Sequence, residues 1–115
     1  MDAKNGSIDR RVGGVGGSDE VWFNHGDRRF YTASRNNPTG PVLGVIDAER
    51  QTLVQIVPTV NVAGNTKSVP PIPASTAHSV AVDPNTNHAL VPLGANNIFP
   101  NCSNGCIGVF GTDDD

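Results

Sequence analysis

An all-β fold is predicted by three observations. Turn-forming residues are abundant, with 13 glycines and 9 prolines, while charged residues make up only 17% of the 115-residue chain. Short runs of β-branched and aromatic residues recur between these turn signals. No segment carries the periodicity of an amphipathic helix. The runs also repeat. Residues 19–31 align without a gap on residues 78–90, and residues 42–47 align on residues 106–111. Residues 1–8 resemble residues 46–53, so the chain is expected to begin inside a repeat. A repeat of four short strands predicts β-propeller blades, each an antiparallel four-stranded sheet.

Taken in order, residues 7–12, with Arg10 and Arg11 adjacent, read as a short polar strand at an edge. Residues 13–17, four glycines around Val15, read as a flexible connector. Residues 20–24 carry Val21, Trp22 and Phe23 and predict a buried inner strand. A turn at His25, Gly26 and Asp27 leads to a second strand over 29–34, and Asn36, Asn37, Pro38 and Gly40 mark the next turn. Strands over 42–47 and 52–57 complete the unit. Residues 58–76, with Pro58, Pro70, Pro71 and Pro73, form a connector without periodicity. Strands return at 79–82, 88–91 and 106–110, with Pro92 marking an edge or irregular end of the middle one.

The organisation expected from this is an outer strand of a preceding blade with its glycine-rich connector (1–17), a complete blade (18–59), a proline-rich connector (60–76) and an incomplete blade (77–115). Two blades cannot close a ring, since propellers use roughly four to eight. The free faces of the pair should therefore be apolar and seek neighbours. The expected partners are other propeller blades, supplied by self-association or by missing segments of a larger parent.

The residues that carry these strands resemble the YVTN-type β-propeller repeat, a bacterial and archaeal family. Val82, Asp83, Pro84, Asn85, Thr86, Asn87, His88, Ala89, Leu90 and Val91 are similar to the first half of its pattern. Residues 45–58 are similar to the second half, and residues 29–34 are a looser copy of the segment that names the family. The resemblance covers nearly the whole chain apart from the long connector and the Cys102 loop. It implies six- or seven-bladed rings, often extracytoplasmic (periplasmic or secreted), most without an assigned reaction. Related propellers include lactonases, lyases and quinoprotein dehydrogenases. No catalytic residue carries over onto fewer than two blades.

The formal net charge of −3 gives no reason to expect nucleic acid as a partner, and no apolar run is long enough to insert in a membrane. The N-terminus lacks the basic region and apolar core of a signal peptide. Cys102 and Cys106 are the only cysteines. Their spacing allows a small disulfide loop, two free thiols or, less readily, a metal site. A disulfide would fit an oxidising compartment. No sequence feature identifies a cofactor.

In a blade, the start of the first strand and the loop between strands two and three share one face. That rule gathers Asp19, Glu20 and His78 at the mouth of the channel, with Arg35, Asn36, Asn37, Asn96 and Asn97 in the flanking loops. Carboxylate, imidazole and amide groups converging on one concavity are what a ligand site requires. Each also has an ordinary structural reading, as a solvated loop carboxylate or a hydrogen-bonded histidine. His25 and His88 fall in turns at the opposite end, and the aromatic residues Trp22, Phe23, Phe30 and Tyr31 read as core. The glycine run precedes no β-α unit, so its spacing does not predict a dinucleotide site. The expected function is a scaffold or ligand-binding propeller module without self-contained catalysis. The competing expectation is part of a lactonase- or lyase-like propeller enzyme.

Overall fold

The structure, a computed structural model, describes residues 2–59, 66–71 and 78–111. Two antiparallel sheets account for every strand among them. The first contains β1 (Glu20–Asn24), β2 (Arg29–Ser34), β3 (Val42–Asp47) and β4 (Thr52–Pro58) in that order, and the second contains β5 (Ala81–Val82), β6 (Ala89–Leu93) and β7 (Cys106–Phe110). No helix is present among the described residues. Most of the connector expected over 58–76 lies outside the described residues, as does the acidic tail from 112 onward.

The three strands of the second sheet repeat the first three strands of the first. Ser34 pairs with Val42 in the first, and the aligned residues Leu93 and Cys106 pair in the second. The first turns match bond for bond. Asn24 Oδ1 accepts from the Gly26 N–H, and Asp83 Oδ1 from the Asn85 N–H. Asp27 Oδ1 accepts from the Arg29 N–H, and Thr86 Oγ1 from the His88 N–H. Arg28 and Asn87 both take the left-handed conformation, at φ 57° and 60°. In each turn a short acceptor side chain two residues before a backbone donor replaces the missing strand partner.

The sheets stack in the same orientation, so opposite faces meet. Tyr31 and Ala33 of β2 and Leu43 and Val45 of β3 form the face of the first sheet turned toward the second. They bury against Val80, Val82, Ala89, Val91 and Leu93. The residues of the second sheet that align with Tyr31, Ala33, Leu43 and Val45 are Leu90, Pro92, Ile107 and Val109, and these lie on its outer side. Leu90, Ile107 and Val109 are 36%, 56% and 60% exposed. A second link ties the turns together: Asn24, 1% exposed, donates from Nδ2 to Asn87 Oδ1 at 3.0 Å. Gly26 packs so closely on Pro84 and Asn87 that a Cβ would overlap the Pro84 carbonyl oxygen.

Several expectations need correction. Residues 7–12 form no strand, and 13–17 are not a loose connector. Residues 10–17 instead lie over the outer face of the first sheet. There the Val15 side chain occupies the space above Gly44, and Gly14 sits against Leu53 and Ile56. The Gly16 N–H donates to Asn37 Oδ1, and the Asn36 N–H to the Gly17 carbonyl. A segment this rich in glycine gains little from a β ladder and follows the sheet surface instead. β1 is an edge strand rather than a buried one, with Val21 59% and Trp22 41% exposed. Of the aromatic residues expected in the core, Tyr31 alone is buried.

The middle strand of the second sheet runs through Pro92 to Leu93, and β5 is confined to Ala81–Val82. The reason is local. The His88 carbonyl accepts from the Asp83 N–H, so alternate residues of β6 turn their backbone groups toward β5. Pro92 follows Leu90 in that series and has no N–H to give, so the ladder to β5 stops there.

Candidate functional site

The first strands of the two sheets lie side by side, and their N-terminal ends form one rim. Asp19 precedes β1 and is held by its own N–H, which donates to the Ala33 carbonyl at 2.9 Å. His78 occupies the aligned position before β5. The structure brings the two side chains together, His78 Nδ1 to Asp19 Oδ2 at 3.3 Å, both partly open to solvent. An exposed pair of this kind contributes little to stability. Its consequence is orientation, because Nδ1 faces the carboxylate and Nε2 is left for another partner.

Beside this pair is a cleft of about 320 Å³, lined by Glu20, Trp22, Ser79, Val80, Ala81, Leu90, Pro92 and Ile107. Its wall is apolar apart from the Glu20 carboxylate and the Ser79 hydroxyl. Trp22 contributes from β1, beside Ser79 and Val80, which Pro92 leaves out of the β5 ladder. Of the four aromatic residues expected as core, Trp22 is therefore the one that forms the cleft wall.

The other predicted residues distribute unevenly. Arg35 and Asn36 follow β2 at the same end as Asp19, with the Arg35 N–H bonded to the Ala33 carbonyl at 3.2 Å. Asn36 is in contact with Gly17, which secures the end of the 10–17 segment. Asn97 is exposed. Asn96 is buried, and its amide is fully committed to its own loop. Nδ2 donates to the Gly94 carbonyl at 2.7 Å and approaches Cys102 Sγ at 3.1 Å, while Oδ1 accepts from the Ile98 and Phe99 N–H groups at 3.0 and 2.9 Å. Asn96 thus organises the excursion between β6 and β7. Cys102 and Cys106 are joined in a disulfide within the same excursion, with their Cα atoms 5.0 Å apart.

At the opposite end, His25 stacks edge-on against Phe23 at 4.8 Å, and His88 is half-buried. The Asn24–Asn87 bond at this end is not singled out by the sequence. A signal for it existed, since Asn24 aligns on Asp83 and both are turn-forming acceptors. Among the described residues no group of three His, Cys, Asp or Glu could hold a metal ion, and no helix is long and apolar enough to cross a membrane. No family model, curated protein or solved structure matches the chain.

Proposed function

We propose that this chain is a β-propeller-type scaffold module of a larger YVTN-like assembly, binding a small polar-headed ligand at its rim and carrying out no catalysis alone. The observation that supports this most is the pairing of Asp19 with His78, two aligned positions of the repeat that meet at the end where the first strands begin. The identical orientation of the stacked sheets supports the scaffold part, because a ring of blades requires each to present one face and receive the other. The cleft's far wall belongs to the face that a further blade would cover, so in an assembled ring the accessible part is the polar rim. The Cys102–Cys106 bond fits an extracytoplasmic setting.

The orientation of His78 by Asp19 favours a second reading, a lactonase- or lyase-like site in the complete ring with Nε2 as base. Both readings are tested with hexylamine, hexanoate and γ-butyrolactone as probes, following the Trp22 indole resonances at the cleft wall and lactone hydrolysis. Binding of an amine or carboxylate that disappears in His78→Ala, without hydrolysis, is the expected result. Hydrolysis abolished by the same change would replace the scaffold reading with the enzymatic one. Binding unaffected by His78→Ala would remove the rim from consideration.

A further inference from the structure

We infer that residues 10–17 are a removable strap covering the free flank of the first sheet, and that once it lifts, that flank docks on the bare face of the second sheet in another copy of this chain. The inference rests on the scaffold reading above and adds a partner and its control.

The identity of the partner follows from an interface the chain has already made once. The face of the first sheet bearing Tyr31, Ala33, Leu43 and Val45 is covered by the face of the second sheet bearing Val80, Val82, Ala89, Val91 and Leu93. The second sheet repeats the former face outward, as Leu90, Pro92, Ile107 and Val109, with nothing over it among the described residues. The first sheet repeats the latter face on its own outer side, where Val21, Phe23, Phe30, Thr32 and Ser34 align on those five residues. Each molecule therefore carries both unused halves of the contact between its own sheets. A contact between these halves is head-to-tail, and it generates a ring if the rotation closes or a filament if it does not.

The strap decides whether the second half is available. Its seat is specific, with Val15 filling the hollow over Gly44 and covering Thr32, whose Oγ1 is 2.9 Å from Ser34 Oγ. Beyond the Gly16 and Gly17 hydrogen bonds at its C-terminal end, its hold is weak. The segment belongs to no strand. Between Arg10 and Val12 on one side and Phe30, Ile46 and Ala48 on the other it leaves a cavity of about 320 Å³. Val21 and Phe30 remain 59% and 37% exposed beside it. A poorly filled, ladder-free cover is readily displaced by a sheet that fills the face.

The test compares full-length wild type, Val15→Asp and Ile107→Asp by sedimentation velocity over a concentration series, with circular dichroism to confirm the fold. Val15→Asp unseats the strap and should lower the concentration for half-association at least tenfold. Adding Ile107→Asp to Val15→Asp should return the chain to monomer, as should excess synthetic peptide of residues 8–18. Val12→Asp, at the loosely packed end, is read in the same way if Val15→Asp does not fold. Folded strap variants that associate no more tightly than wild type would overturn the strap. Association that survives Ile107→Asp would overturn the docking face while leaving the scaffold reading intact. A cooperatively folded monomer in every variant at millimolar concentration would overturn both.

Discussion

Tyr31 and Trp22 are the single tyrosine and single tryptophan of the chain, and they report on opposite environments. Tyr31 is in the inter-sheet core, and its hydroxyl donates to Asp27 Oδ2. Burial, followed by the Asp27 hydrogen bond and charge, raises its pKa well above the ordinary value of 10.0. The folded state therefore keeps a proton that the unfolded chain releases, so stability is full below about pH 10 and declines above it. The slope approaches about 1.4 kcal/mol per pH unit. Absorbance at phenolate wavelengths should show no ionisation of native Tyr31 at pH 10–11, and Tyr31→Phe should flatten the alkaline loss of stability. An ordinary titration in the folded protein would contradict this environment. In the same turn region, Asn24→Ala would leave Asn87 Oδ1 and the Gly26 N–H without their partner. Denaturant melts should show a loss of about 1–3 kcal/mol, the usual consequence of orphaning buried polar groups.

Among the elements, the turns were the most legible in the sequence, because their geometry is local. Asn24, Asp27, Asp83 and Thr86 each accept from a backbone N–H two residues on, which is what such side chains do wherever the chain reverses. The 10–17 segment was not legible. Its fate depends on Gly44, far along the chain, whose missing side chain makes room for Val15. Gly44→Ala places a methyl group where Val15 and Thr32 already are. It should destabilise the fold by about 1–3 kcal/mol in chemical denaturation, the range for overpacking a filled site. β5 is two residues shorter at its start than the 79–82 the sequence predicts, because the proline that cuts its ladder belongs to its neighbour. The disulfide loop between β6 and β7 closes a sequence separation of only 4 residues. Replacing both Cys102 and Cys106 with Ser should lower stability by about 2 kcal/mol on the chain-entropy model, and a reductant should lower the wild-type denaturation midpoint in the same direction.

For the whole molecule, the repeat carried most of what the sequence revealed. Aligned residues predicted that Asp19 and His78 would occupy equivalent places, and the stack puts them within 3.3 Å of each other. The wall of the cleft was missed because Trp22 looks like core until β5 is known to be short. Burial of Tyr31 against one face of the second sheet rather than the other is the central claim, since sheet orientation determines which apolar residues are left for a partner. The most direct measurement is a nuclear Overhauser spectrum from the Tyr31 ring, unambiguous because the chain has no other tyrosine. The account predicts cross-peaks to the methyl groups of the buried set, Val82, Ala89 and Val91. Cross-peaks instead to Leu90 and Val109, with Val91 silent, would mean that like faces meet, and would contradict the head-to-tail stack.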